Sequence, residues 1–193
     1  MSASPASAAE GDKMQSSEDV DMKMRIHTYL RLGFGGNFKG SKSLTNTSVK
    51  ASVSVGVAGR FEYPILKYLT TGGGLSVWSA KFDVPGSKRK FAFDVGAFIK
   101  GRYPFSIKKY RLEAYVLLPV GFSLWTQQIG VDKNGAGYHL GLFPGMIMWV
   151  TSKVGVMFEL GWARSGWKYK GGGQEAGLAL DQAAMNLGVT ISL

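Results

Sequence analysis

From about residue 24 to the end of the chain, apolar side chains recur at every second position, with small or polar residues between them. A period of two is that of β-strands whose faces meet different surroundings. The pattern divides into eight segments. In the first, Met24, Ile26, Leu30, Leu32 and Phe34 share one face, and Arg25, His27, Tyr29, Arg31 and Gly33 the other. The second, Val49–Tyr63, sets Val53, Val55, Val57, Phe61 and Tyr63 against Lys50, Ser54, Arg60 and Glu62. The third, Tyr68–Lys81, is Gly-rich and alternates less cleanly. The fourth opposes Phe91, Phe93, Val95, Ile99 and Tyr103 to Asp94, Gly96, Lys100 and Arg102, and the fifth opposes Leu112, Val116, Leu118 and Leu124 to Arg111, Glu113, Tyr115 and Ser123. The sixth is Tyr138–Val150. The seventh runs from Val154 to Trp162 with Glu159 on its polar face, and the eighth from Gln182 to Leu193 with Asn186 and Thr190 on its polar face. Pro119 and Pro144 fall inside strand patterns; each removes a ladder donor, which predicts a bulge at each. No stretch has a helical period.

The connections alternate in length. Pro64–Lys67, Pro104–Lys109 and Thr151–Lys153 are short, whereas Asn37–Thr47, Asp83–Lys90, Gln127–Ala136 and Trp167–Gly177 are longer and polar. Short turns on one rim and long loops on the other are a mark of transmembrane β-barrels. The polar face supports that solvent. It is filled with Gly, Ser, Ala, Thr and Asn, which suit a crowded interior better than a wet exterior. The opposite face carries almost no charge over six or seven successive outward positions. At a rise of about 3.3 Å per residue and a tilt of about 40°, that length covers an apolar band of about 25 Å. Aromatics are expected in two belts. Tyr63, Tyr68, Tyr103, Tyr110 and Trp149 fall near the short-turn rim, and Phe34, Phe91, Phe122, Trp125, Tyr138 and Trp162 near the other.

Composition narrows the functions. Glycine numbers 27 of 193 residues and cysteine none, so disulfide frameworks, thiol nucleophiles and thiolate metal sites are excluded, and two histidines do not make a histidine-rich metal site. No apolar run reaches the roughly 18 residues of a membrane helix. Residues 1–22 are polar, without periodicity, and read as a flexible tail, with the ordered unit at 23–193. The tail has no basic start or apolar stretch, so it is not a signal peptide. The net charge is +10, and the tail holds five of the 13 acids and one of the 23 bases, leaving a strongly basic body. Such a body favours an anionic partner.

The chain resembles the small eight-stranded outer-membrane β-barrels, the group of the OmpA transmembrane domain and the OmpX-like proteins. The resemblance covers about Lys23–Leu193. It is most evident in Arg60–Val77 (RFEYPILKYLTTGGGLSV), an amphipathic strand, a short turn and a Gly-rich strand. The last residues, NLGVTISL, resemble the C-terminal strand that the barrel-assembly machinery recognises, with Leu193 where that signal usually ends in an aromatic residue. The resemblance implies an all-β, eight-stranded antiparallel up-and-down transmembrane β-barrel with a disordered N-terminal tail. It also implies the bacterial outer membrane, a mature form without its signal peptide, the assembly machinery as a partner during insertion, and no cofactor.

Eight strands leave room inside for side chains but hardly for a pore. Arg25, Arg31, Lys50, Arg60, Glu62, Asp94, Lys100, Arg102, Glu113 and Glu159 point inward by alternation and are expected to form a salt-bridge network that plugs the barrel. A narrow, anion-preferring path is the rival reading, and a soluble lipocalin-like carrier a further one. Among the loop bases, Lys88, Arg89 and Lys90 form the densest cluster and are candidates for phosphates of outer-membrane lipids, lipopolysaccharide included. No nucleic-acid-binding motif accompanies the charge. His27 and His139 both face inward, and neither has a serine two residues away as the Ser–His lipid deacylase pattern of some such barrels wants. The sequence therefore reads as a non-enzymatic scaffold whose function lies in its long loops.

Overall fold

The computed structural model describes residues 22–42, 48–126, 134–171 and 174–193. The expected tail lies outside them except for Met22, and so does most of the Gln127–Ala136 loop. The strands are β1 (Arg25–Lys42), β2 (Ser48–Lys50), β3 (Ser54–Leu66), β4 (Leu69–Ala80), β5 (Lys90–Ile107), β6 (Tyr110–Trp125), β7 (Gly135–Trp149), β8 (Val154–Gly171) and β9 (Gln174–Ser192). Every pairing is antiparallel: β1 pairs with β3, each later strand with the next, and β1 also with β9, so the sheet closes on itself. Eight staves form the barrel. The short β2 is an appendage laid against the far end of β1, from Asn37↔Lys50 to Lys39↔Ser48.

Alternation assigns the faces as the sequence predicts. Ile26, Leu30, Val55, Val57, Val95, Leu118, Leu187 and Val189 are exposed, while Arg25, His27, Tyr29, Glu62 and Asp94 between them are buried. An all-apolar exterior around a polar interior inverts a water-soluble barrel. The inversion is stable only where lipid replaces water outside. Tyr63, Tyr68, Tyr103 and Tyr110 are exposed at the turn rim, and Phe91, Phe122, Tyr138 and Trp162 towards the other. Trp125 and Trp149, expected in these belts, are buried inside instead. Each sits one residue from an outward neighbour (Leu124, Met148), so the pleat turns it inward.

Three local expectations are corrected. The connections expected at Asn37–Thr47 and Trp167–Gly177 are largely strand: β1 pairs with β9 as far as Lys42↔Ala176, and β8 with β9 as far as Gly171↔Gln174. Above the apolar band water wets the outer face, so the sequence loses its alternation while the ladder continues. The long second segment breaks at Ala51–Val53, between β2 and β3. Pro119 and Pro144 cause no register shift. The β6–β7 ladder skips from Leu117↔Phe143 to Val120↔Leu140, and the β7–β8 ladder from Leu142↔Trp162 to Gly145↔Glu159, both resuming in register. Register shifts lie instead between Pro64 and Leu66, at the β3–β4 turn, and on β1 between Phe34 and Asn37, where Gly35 has φ 61°. Glycine takes that left-handed conformation without a Cβ clash.

Candidate functional site

The interior is the site, and the pleat builds it in tiers. The lower tier, at the turn end, joins six staves. Arg25 Nη1 donates to Glu113 Oε2 at 2.7 Å, and Lys100 Nζ lies 2.7 Å from Glu62 Oε2 and 2.9 Å from Glu113 Oε1. Arg102 Nη1 approaches Glu113 Oε2 at 3.5 Å. The Arg25 and Arg111 guanidiniums lie 5.0 and 4.6 Å from the Trp149 ring centre. His27 sits between Thr190 Oγ1 and Glu62 Oε2, 2.8 Å from each.

The middle tier is centred on Glu159. It accepts two hydrogen bonds from Arg60 at 2.5 and 3.0 Å, one from Tyr115 Oη at 2.9 Å and one from Asn186 Nδ2 at 2.6 Å. The fork-on-carboxylate geometry suits Arg60, whose Cζ also lies 4.3 Å from the Tyr29 ring centre. Gly145 makes room for this tier: a Cβ there would come within 2.7 Å of the Tyr115 ring.

The upper tier is centred on Asp94. Trp78 Nε1 donates to Oδ2 at 2.6 Å, Ser76 Oγ at 3.1 Å and Arg31 Nη1 at 3.3 Å, and Ser123 Oγ donates to Oδ1 at 2.6 Å. Trp167 Nε1 in turn donates to Ser123 Oγ at 2.9 Å. A cavity of about 50 Å³ separates the middle and upper tiers and touches Arg31, Arg60, Asp94, His139 and Asn186. It has room for a few water molecules.

Above the charges lies an aromatic cap. The ring centres of Trp78, Trp125 and Trp167 are 5.8, 5.0 and 6.2 Å apart, and all three residues are within 1% of complete burial. Phe38 packs on Trp125 at 5.8 Å and on Phe82 at 4.5 Å, and Tyr169, Leu178 and Leu180 complete the cluster. Burial there, beyond the apolar band, raises the Tyr169 phenol above its ordinary value. Ion pairs thus fill the lower interior and indoles lie above them.

Of the ten residues expected in the network, Arg25, Arg31, Arg60, Glu62, Asp94, Lys100, Arg102, Glu113 and Glu159 are buried and ion-paired in these tiers. Lys50 is not among them: it is exposed on β2, beyond the break in the second segment, where inward parity no longer means burial. Lys88 is exposed and Lys90 begins β5. Arg89 is exposed as well. Its Nη1 donates to Val53 O at 3.0 Å and Ser79 O at 3.1 Å, which ties the 83–89 loop to the ends of β3 and β4. The cap escaped the sequence reading altogether, although Trp125 opposite Leu124, and Trp167 in a stretch read as loop, had the inward parity. Thr190, His27 and Glu62 form a hydroxyl–imidazole–carboxylate chain, but Thr190 is fully buried, which withholds its hydroxyl from any substrate.

No family model matches the chain, and no curated protein matches it in sequence. Solved structures do. The outer membrane protein OprG from Pseudomonas aeruginosa is similar at a TM-score of 0.57 and 7% identity, over 89% of this chain and 95% of that one. Neisserial surface protein A is similar at 0.46 and 15%, over 87% and 97%, and Ail of Yersinia pestis at 0.37 and 12%, over 86% and 99%. At such identities the likeness concerns the fold. That fold is the eight-stranded up-and-down β-barrel of small outer-membrane proteins, OmpA- and OmpX-like in architecture.

Proposed function

We propose that this protein is an integral barrel of the bacterial outer membrane whose lumen is closed, and that it works as a scaffold presenting its loop-side wall at the cell surface. The observation that carries the reading is the pair of layers across the interior, charged below and aromatic above. Nine buried charges are ion-paired across the staves, and three indoles lie towards the loop side. The cavity between the middle and upper tiers has room for only a few waters, which supports a closed lumen. The part shaped for partners is then the wall that β1, β8 and β9 raise beyond the band. It carries ion pairs on a rigid ladder: Lys42 with Glu175, Lys170 with Glu175 at 3.3 Å, and Arg164 with Asp181 at 3.6 Å. Lys88, Arg89 and Lys90 are the proposed contacts to lipid phosphates at the same rim. Strand β9 is proposed as the segment read by the assembly machinery.

The test is single-channel recording of refolded protein in a planar bilayer, with insertion established separately by the unboiled shift on a denaturing gel. Silence from inserted protein is expected. Discrete, reproducible steps would overturn the closed scaffold in favour of a narrow channel. Protein that stays soluble without detergent would overturn the membrane reading itself.

A further inference from the structure

The rim bearing the short turns is basic. Lys23, Lys67, Lys108, Lys109, Arg111 and Lys153 lie there, and among the described residues the only side-chain carboxylates at that end are Glu62 and Glu113, both buried in the lower tier. The rim is also uneven. The β4–β5 ladder ends at Leu69↔Gly101, but β5 continues to Ile107 and folds back into β6, so the β5–β6 hairpin overhangs the Lys67–Tyr68 turn. At this step is a hollow of about 270 Å³ lined by Lys67, Tyr68, Tyr103, Phe105, Ser106 and Arg111.

One side of the hollow is a run of rings. Tyr68 and Tyr103 stack at 6.3 Å and 17°, and Tyr103 and Phe105 at 6.3 Å and 26°. Both cations are held by aromatic faces, Lys67 Nζ 5.7 Å from the Tyr68 ring centre and Arg111 Cζ 4.6 Å from that of Trp149. Ile65, Leu66 and Ile107 are exposed beside the step, so the hollow sits where the apolar band ends.

We propose that this hollow binds the phosphate headgroup of a membrane phospholipid in the turn-side leaflet. Lys67 and Arg111 would give the phosphate charge-assisted hydrogen bonds, Ser106 a neutral one, and the stacked rings a surface for the glycerol and first methylenes. A free phosphate would leave that ring surface without an apolar partner, and it is the rings that favour a lipid over an inorganic ion. The inference rests on the membrane reading above.

Native mass spectrometry of the refolded, detergent-solubilised protein tests it, with dioleoylphosphatidylglycerol, uncharged dioleoylglycerol and inorganic phosphate as probes. Insertion-competent folding is checked for each variant by the unboiled gel shift, so a failed barrel is distinguished from a failed site. The phosphatidylglycerol adduct should exceed the diacylglycerol adduct, and the double variant Lys67→Gln/Arg111→Gln should weaken it about tenfold, the loss of one to two charge-assisted contacts. Lys67→Gln alone, on an exposed turn, should show part of the loss and guards against misfolding through Arg111. Lys153→Gln removes the same charge from another turn and should leave the adduct unchanged. An equal loss in Lys153→Gln would reduce the effect to diffuse rim charge and overturn the site. Displacement of the lipid by inorganic phosphate in modest excess would overturn the lipid as occupant.

Discussion

Replacing Glu159 by Leu removes the carboxylate on which Arg60, Tyr115 and Asn186 all converge, in a residue with no exposed surface. Leaving a buried charge without its partner costs about 3–5 kcal/mol. Each stranded neutral donor, the Tyr115 hydroxyl and the Asn186 amide, adds about 1–3 kcal/mol. The ceiling is therefore about 5–11 kcal/mol. Arg60 and Asn186 already border the 50 Å³ cavity, so water admitted there would solvate both. The expected destabilisation is accordingly nearer the charge contribution alone, about 3–5 kcal/mol. The double variant Arg60→Met/Glu159→Leu should recover much of it, because a buried ion pair replaced by apolar side chains of similar volume is often neutral. Equilibrium unfolding in urea of protein inserted in lipid vesicles, followed by tryptophan fluorescence and extrapolated linearly, reads both quantities. A cost below about 1 kcal/mol for Glu159→Leu, or a double variant less stable than the single one, would refute the view that the middle tier is held by compensation of buried charge.

Other outcomes follow from the same geometry. Leu187→Arg puts a charge on the outward face, where Leu187 pairs with Leu30 and Phe158, and should destabilise the inserted barrel by about 2–4 kcal/mol; an unchanged urea midpoint would mean that this face does not meet lipid. Trp125→Ala empties the centre of the cap and should cost about 3–5 kcal/mol, read as a lower denaturation midpoint; a wild-type midpoint would show the indoles to be incidental filling. Gly145→Val drives a branched side chain into the Tyr115 ring, with an expected cost of about 1–3 kcal/mol, and a tolerated valine would mean Tyr115 is not held against Glu159. Arg89→Gln should make the 83–89 loop more sensitive to protease while leaving the unfolding midpoint within about 0.5 kcal/mol of wild type; unchanged proteolysis would remove Arg89 as the anchor of that loop.

The faces of the staves were legible because lipid and a packed lumen make opposite demands on successive residues. Arg25 and Glu62 could be assigned inward from their neighbours Ile26 and Phe61 alone. Their partners could not. Arg25 meets Glu113 rather than only Glu62, facing it across β1–β3, because the stagger of the closed barrel decides which inward side chains share a height. Stagger is a property of all the ladders together and leaves no trace in one strand. The cap was missed for a related reason. Trp125 obeys the inward parity, but the preference of tryptophan for membrane interfaces pointed outward, and parity prevailed because Leu124 already occupies the lipid side. Lys50 failed in the opposite direction. Parity was carried across Ala51–Val53, where the strand is interrupted and no barrel interior remains for it to describe.

The closing seam has a consequence for the order of events in folding. Its ladder runs from Arg25↔Ser192 to Lys42↔Ala176, joining the first stave to the last, whereas every other pair of staves is joined by a single turn or loop. Bringing such distant segments together costs about 3–4 kcal/mol more in loop-closure entropy than a tight hairpin does. Hairpins can come and go cheaply, but the seam is worth its cost only once the intervening staves are in place. Contacts along β1 and β9 thus belong to the latest stage of folding, and interactions made that late act chiefly on the rate of unfolding. The zip between the two ends of the barrel is what sets how long a folded molecule stays folded.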